Sequence, residues 1–278
     1  MNSKNGIGYY VAAFLLIVFS LGPIVWAFII SITPEAELLN ASTSLLPSSF
    51  TWERYAEIFD PATSAHQTVL IGLTSSIKIA AITLLIGVPL TTITGYILSI
   101  YEFRGKKLFI NLLLLTIVIP VFSTIIPIYN IFRNLNMLDS MFWTSVIYVS
   151  SVLPLNVWIM MNYFKQLPKE LWQAAAIDGF TKTQTFFKVI LPVAAPAVLT
   201  CALIIFLMAW KQYVIPSILL SSFDNRTITM IMSEFMTRDS IQYGMISAVG
   251  IIAIIPPAIV AVLFRKFLIS NMAAGAVK

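Results

Sequence analysis

Residues 168–192 read Pro-Lys-Glu-Leu-Trp-Gln-Ala-Ala-Ala-Ile-Asp-Gly-Phe-Thr-Lys-Thr-Gln-Thr-Phe-Phe-Lys-Val-Ile-Leu-Pro, a polar break in an otherwise apolar chain. We call this segment the elbow. A short helix is predicted at its start, because four residues have the i, i+3, i+4, i+7 spacing that shares one helix face. These residues are Leu171, Ala174, Ala175 and Asp178. Alanine keeps such a face flat, so that another protein can approach the backbone closely.

The second half of the elbow carries the signals of a helix end and a new helix start. Gly179 is the residue type that ends a helix in the left-handed conformation. Thr181 and Gln184 lie three residues apart and fit a capping box, which predicts a second helix running towards Pro192. The elbow is therefore predicted to be rigid, with a tip that a partner can bind and a base joined to an apolar segment. The alternative is a generic amphipathic loop on a lipid surface.

The composition indicates a membrane protein. Hydrophobic residues make up 59% of the 278 residues and charged residues 10%, against about 45–50% and about 25% in soluble domains. Residues 8–30 contain no charge over 23 positions, which exceeds the about 20 that a transmembrane helix needs. A cleaved signal peptide is the alternative for this segment, but its apolar region spans only about 7–15 residues.

The apolar segments predict an all-α, polytopic membrane protein with six transmembrane helices, forming one membrane domain over residues 1–278. The predicted spans lie near residues 8–31, 73–99, 108–132, 141–164, 193–219 and 244–268, and the elbow belongs to a loop at 165–192. Every span contains proline, which kinks a helix and is tolerated in membranes where neighbouring helices or water satisfy the freed carbonyls.

The basic residues predict the orientation. Eleven Lys and Arg residues fall on the side of the elbow and four on the opposite side, so the positive-inside rule places both termini and the elbow in the cytoplasm. The eleven are Lys4, Arg104, Lys106, Lys107, Lys165, Lys169, Lys182, Lys188, Arg265, Lys266 and Lys278, and the four are Arg54, Arg133, Arg226 and Arg238. Because the net charge of +5 is distributed by membrane side, it does not indicate nucleic-acid binding.

The elbow resembles the EAA loop, the cytoplasmic coupling element of permease subunits in ATP-binding-cassette importers. The resemblance rests on Gln173-Ala174-Ala175, on Gly179 after three residues and on Val189-Ile190-Leu191-Pro192 after nine more, while Ile177-Asp178-Gly179 resembles the carbohydrate branch. Weaker matches to a maltose-transporter-type, six-span permease extend over nearly the whole chain. They are Gly95-Tyr96-Ile97-Leu98, Phe103-Arg104-Gly105-Lys106, Trp210 with Lys211-Gln212, and the small-residue tail at 273–278.

This resemblance implies a type I ABC importer permease fold and ATPase-coupling residues within the elbow. Those residues are Glu170, Leu171, Gln173, Ala174, Ala175, Asp178, Gly179, Leu191 and Pro192. One departure concerns Gln173, which stands where the family usually has glutamate, so an ion pair with the ATPase is not expected there. Glu170 lies about one turn earlier and substitutes only in part.

The resemblance also implies partners: a second homologous permease subunit, two ATP-binding subunits, an extracytoplasmic solute-binding protein and a sugar. The expected location is the lipid bilayer of a bacterial or archaeal cytoplasmic (inner) membrane. No G-x-x-x-x-G-K-[ST] phosphate loop is present, and His66 is the lone histidine, so catalytic residues, a metal site and a cofactor are not expected in this chain. ATP and Mg would be bound by the partner subunits.

Polar and aromatic residues in the spans are candidates for the substrate pathway, because hydroxyl-rich ligands bind amides and aromatic faces. They are Tyr129, Asn130, Asn156, Trp158, Trp210, Lys211, Gln212 and Tyr213. Interhelical hydrogen bonding is the alternative role for each of them. Lys211 is predicted inside the fifth span, where it either faces a cavity or extends to the outer interface.

Several functions remain compatible with the sequence. A neutral di- or oligosaccharide is the first substrate class, and an acidic, uronate-containing oligosaccharide is the alternative if Lys211 faces the cavity. A permease for another solute class is a further alternative. An ion-coupled secondary transporter or channel is disfavoured, because no Asp or Glu lies within a predicted span core.

Overall fold

In a computed structural model, which describes residues 6–39, 46–236 and 241–276, the chain is α-helical. The expectation of an all-α fold is confirmed. The helices are α1 (Ile7–Ser31), α2 (Glu35–Leu39), α3 (Glu53–Phe59), α4 (Ser64–Ile100), α5 (Lys106–Leu115), α6 (Val121–Asn134), α7 (Met141–Gln166), α8 (Glu170–Ile177), α9 (Lys182–Thr185), α10 (Leu191–Trp210), α11 (Val214–Leu219), α12 (Ile228–Glu234) and α13 (Tyr243–Ala276). Of the residues used for the orientation, Lys4, Arg238 and Lys278 lie outside the described residues, as do the last two positions of the small-residue tail.

Five helical stretches among the described residues are long and apolar enough to cross a membrane. They are Gly8–Ser31, Ser64–Ile100, Met141–Gln166, Lys182–Trp210 and Tyr243–Arg265. The predicted third span, 108–132, is not one straight helix: Lys106–Val118 and Phe122–Asn134 meet at an angle of 100°. Pro120 causes the break, because it has no N–H and the residue before it, Ile119, is held in an extended conformation. Counting the bent pair as one span gives six.

The predicted fifth span, 193–219, also ends early, at Trp210. Lys211 is the C-cap residue of α10, and a new helix, α11, starts at Val214. The reason is Pro216, which would clash with the carbonyl of Gln212 in a continuous helix but is tolerated in the first turn of a new one. Lys211, predicted inside the fifth span, therefore lies at a break between two helices.

The described chain divides into two compact units, and α4 and α13 contribute residues to both. The first comprises residues 1–73 and 228–256. In it, Arg54 orders the loop after α1, because its guanidinium donates to the carbonyls of Ser31 (3.0 Å) and Thr33 (2.7 Å) and pairs with Glu35 at 2.6 Å. These bonds order the described part of the segment that follows α1, and a single membrane domain over residues 1–278 stays a prediction.

The second unit, residues 74–227 and 257–278, contains close packing between α4 and α7. Ser145, near the start of α7, donates to the carbonyl of Ile79, towards the middle of α4, at 3.3 Å. Farther along, a Cβ built on Gly87 would lie 3.7 Å from Val149, and one on Gly95 only 2.6 Å from the Cβ of Met160. Residue numbers increase along both helices from one contact to the next, so α4 and α7 run in the same direction. The backbone of α4 lies close to side chains of α7, as small residues permit in membranes.

We expect Gly95→Val to destabilise the protein by about 1–3 kcal/mol, because the new side chain overlaps Met160 and the backbone nitrogen of Met161 at 3.0 Å. The measurement is the thermal unfolding midpoint in detergent. Gly22→Val in α1 is the matched control, since nothing lies within 4 Å of its Cβ. An equal midpoint for both variants would contradict the close approach of α4 and α7.

Candidate functional site

The elbow has the helix end that Gly179 predicts. α8 ends with Asp178 as its C-cap, and Gly179 follows with φ of +75°. The amide of Gly179 donates to the carbonyl of Ala176 (3.1 Å), and that of Phe180 donates to the carbonyl of Ala175 (2.9 Å). These two bonds form a Schellman motif, which fixes the direction in which the chain leaves α8.

The predicted capping box is present two residues later. The amide of Gln184 donates to Thr181 Oγ1 at 3.3 Å, and the amide of Thr181 donates to Gln184 Oε1 at 2.9 Å. α9 then continues through a π-helical turn, Phe186–Ile190, into α10. The turn ends next to Pro192, which lacks the N–H that an α-helix would pair with the carbonyl of Lys188. The elbow thus joins a helical stretch, Lys182–Trp210, of 29 residues.

Part of the α8 face that is predicted to bind a partner is buried inside the protein. Leu171 and Trp172 are half-buried against a cluster that includes Tyr96, Phe164, Phe186 and Ile190, and Ala175 is 2% exposed. Trp172 Nε1 donates to the Tyr96 hydroxyl at 3.3 Å. The larger apolar side chains Leu171 and Trp172 decide which face is covered, so Leu171 and Ala175 do not lie on an open surface.

The exposed face of α8 carries Gln173, Ala174, Ala176, Ile177 and Asp178. Ile177 is 87% exposed, although its side chain is large and apolar. We did not single out this residue as a binding anchor from the sequence. The available signal was its position four residues after Gln173 and three after Ala174, which places it on the exposed face once Leu171 and Trp172 are buried. Ile177 is therefore the large apolar side chain that this exposed face offers to a partner protein.

The remaining predicted coupling residues lie at the two ends of the elbow. Glu170 is exposed in the first turn of α8, while Leu191 is half-buried and Pro192 exposed at the start of α10. Glu170 and Gln173 therefore offer polar groups beside the exposed face. Leu191 and Pro192 lie where the elbow joins the long helix.

Four of the predicted pathway residues lie together at the end of α10. Trp210 is buried and its ring centroid is 5.6 Å from that of Phe206. Lys211 and Tyr213 are exposed, and Gln212 is half-buried. This short break between α10 and α11 presents a charge, an amide and an aromatic ring close together.

The other four pathway candidates are placed separately. Asn156 is fully buried in α7, where its Nδ2 donates to the carbonyl of Val152 at 2.8 Å while its Oδ1 has no hydrogen-bond partner among the described residues. Trp158, two residues later, is exposed on the opposite side of α7. Tyr129 and Asn130 are exposed on α6, which packs against α11.

Asp139 orders the segment that follows α11. Its side chain accepts from the amides of Ser221 and Ser222, both at 3.0 Å, and its own amide donates to the carbonyl of Leu219 at 2.7 Å. Partial burial by itself raises the pKa of the Asp139 carboxyl, but these hydrogen bonds outweigh it and hold the pKa below its ordinary value. The carboxylate is therefore held in its charged form and fixes the first residues after α11.

The sequence matches a known family over most of these elements. Residues 87–273, which include the elbow and the break at Lys211, match the family described as "Binding-protein-dependent transport system inner membrane component". The chain belongs to this family. The assignment as a carbohydrate ABC transporter permease is thereby confirmed.

Curated relatives match the permease over its whole length. It is 30% identical to the "Trehalose transport system permease protein" of Mycobacterium tuberculosis over 100% of both chains. It is 29% identical to the "Trehalose/maltose transport system permease protein" of Thermococcus litoralis, covering 96% of this chain and 95% of the relative.

A solved structure supports the type I permease fold. The permease resembles a chain of a bacterial ABC transporter involved in the import of the acidic polysaccharide alginate, with a TM-score of 0.72 and 23% identity. The likeness covers 96% of this chain and 98% of that chain. At this identity, the likeness concerns the fold alone.

Proposed function

We propose that this permease carries a di- or oligosaccharide into the cytoplasm as part of an ATP-driven importer. The observation that carries the proposal is the elbow, whose exposed apolar tip at Ile177 is joined to the long helix Lys182–Trp210 through a Schellman motif and a capping box. Such a connection transmits a displacement of the tip to a membrane helix instead of absorbing it in a flexible loop. The trehalose and trehalose/maltose relatives support the substrate class.

The proposed assembly contains four further components. Two ATP-binding subunits would bind ATP and Mg and grip the elbows of this chain and of a second, homologous permease subunit. An extracytoplasmic solute-binding protein would deliver the sugar on the opposite side. The excess of basic residues on the elbow's side supports a cytoplasmic elbow in a bacterial or archaeal inner membrane.

The test is uptake of labelled trehalose or maltose by vesicles that contain the complete complex. With ATP and Mg inside and the binding protein outside, we expect uptake that an ATPase-inactive partner subunit abolishes. The control omits the binding protein. Uptake driven by a sodium or proton gradient without ATP, or export under the same conditions, would contradict the proposal.

A second candidate is import of an acidic oligosaccharide, which the exposed position of Lys211 favours. Lys211 lies at the end of α10 beside Gln212 and Tyr213, and the ion pairs among the described residues do not involve it. If an anionic sugar passes this break, Lys211→Gln should lower its uptake at least tenfold, the effect of about 1.4 kcal/mol. Lys78→Gln, which removes the exposed lysine of α4, is the matched control. Equal uptake by both variants would leave neutral sugars as the substrate class.

A further inference from the structure

A small groove lies in the second unit, between the last turns of α4 and the start of the helix that follows Gly179. Its volume is about 260 Å³, below the about 300–1,000 Å³ of pockets for drug-sized ligands. One wall is formed by a face of α4, at positions i, i+3 and i+4, and by the residue that follows the helix. The other wall is formed by two pairs of residues, with the members of each pair four positions apart. The lining residues are Ile93, Tyr96, Ile97 and Tyr101, and Lys182, Thr183, Phe186 and Phe187.

The floor and rim of the groove are apolar. Tyr96 and Phe186 form the floor, each 7% exposed, with ring centroids 4.6 Å apart. Ile93, Ile97 and Phe187 form the rim and are 43%, 42% and 56% exposed. Ile93 and Ile97 belong to a helix with the length and hydropathy of a membrane span, so the groove opens along a helix that can cross the bilayer.

The polar groups of the groove are confined to one end. There the Lys182 ammonium lies 5.4 Å from the centroid of the Tyr101 ring, and Thr183 adds a hydroxyl. Within the described part of the chain, the ion pairs are Arg54 with Glu35 and Lys106 with Glu102, so Lys182 has no carboxylate partner. A cation held over a ring, without a counterion, is available to an anion.

The surroundings of Lys182 are positively charged. Segments 102–107 and 165–188 contain seven basic residues and three acidic ones. The hydrogen bond from Lys106, its charge and those of Lys165 and Lys107 hold the pKa of the exposed Glu102 carboxyl below its ordinary value. The field at this end of the groove therefore favours negative charge.

We propose that the groove binds one anionic phospholipid of the adjoining leaflet. The phosphate would lie at Lys182 and Thr183, and part of an acyl chain would lie along Ile93, Ile97 and Phe187. A phospholipid combines a negatively charged head group with an acyl chain long enough to follow the apolar wall into the bilayer. Free phosphate has no such chain. Basic pockets at the cytoplasmic ends of membrane helices bind anionic head groups, with about 1 kcal/mol for each basic residue near the surface.

The position of the groove connects the lipid to the elbow. Lys182 follows Gly179 by three residues, and Phe186 contacts the same buried cluster on which Trp172 and Leu171 of α8 pack. A lipid bound there would brace the start of the second elbow helix against α4. Two parts of this inference rest on the proposed function: that the leaflet is the cytoplasmic one, and that the bound lipid affects coupling.

The test uses the complex purified with its bound subunits and placed in nanodiscs of phosphatidylcholine. Trace phosphatidylglycerol or phosphatidylcholine, each with a photoreactive acyl chain, is added, and labelled peptides are mapped by mass spectrometry. We expect phosphatidylglycerol to label residues 93–101 and 182–187 more strongly than phosphatidylcholine. Lys182→Gln should reduce that preference roughly fivefold. Lys188→Gln is the matched control, because Lys188 lies over the Phe180 ring and does not line the groove.

Results of two kinds, from labelling and from crosslinking, would overturn the inference. One is equal labelling by the anionic and neutral lipids, or labelling that Lys182→Gln leaves unchanged. The other is crosslinking of a photoreactive amino acid at Phe187 to a partner subunit instead of lipid, which would make the groove a protein interface. Lipid labelling requires neither ATP nor sugar. The labelling experiment can therefore succeed if the uptake experiment fails, and the uptake experiment can succeed if the labelling experiment fails.

Discussion

Gly179→Val is expected to lower sugar uptake by about 5- to 150-fold while the complex still assembles and hydrolyses ATP. Gly179 has φ of +75°, and nothing lies within 4 Å of a Cβ built on it. The cost is therefore backbone strain and not a clash, about 1–3 kcal/mol for a β-branched residue held in the left-handed region. Valine relieves the strain by giving up the Schellman motif, and the elbow no longer transmits the displacement of its tip.

The measurement is sugar taken up per ATP hydrolysed in vesicles. Gly179→Asn is the first control, because asparagine tolerates the left-handed conformation and should retain most of the uptake. Gly105→Val is the second, since Gly105 has φ of +85° and an equally open surrounding but lies outside the elbow. Normal uptake with Gly179→Val would contradict the role of the elbow in coupling.

Ile177→Asp is expected to weaken binding of the ATP-binding subunits by about 30-fold, the effect of about 2 kcal/mol at an interface hot spot. Ile177 is 87% exposed, so its replacement does not disturb the packing of α8. A carboxylate at this position would have to be desolvated where an apolar side chain fits a partner pocket.

The affinity is measured by titrating the ATP-binding subunits onto the permease in nanodiscs. Ile177→Leu keeps the apolar side chain and should bind within a few-fold of the original protein. The unfolding midpoint of the permease should be the same for all three proteins. Unchanged affinity of Ile177→Asp would show that the exposed face of α8 is not the docking surface.

The predictions from local sequence were the accurate ones. Gly179, Thr181 and Gln184 form the helix end and capping box that their spacing indicates, because these motifs depend on backbone bonds within a few residues. Two of the six predicted spans are interrupted near a proline: Pro120 divides the third, and Pro216 places a break at Lys211 in the fifth. A proline alone does not predict such a break, because Pro23, Pro89 and Pro154 lie inside unbroken helices.

By itself, the sequence determined the helical membrane class, the family and the geometry of the elbow, since hydropathy and capping act within short stretches of chain. Only the tertiary structure decided which face of α8 is covered. That choice depends on Trp172 reaching Tyr96, which lies 76 residues earlier in the chain. It likewise decided that Ile177 is exposed and that α4 and the elbow enclose a groove beside Lys182. Helical spacing assigns residues to faces, but the contacts with distant residues select the face that is buried.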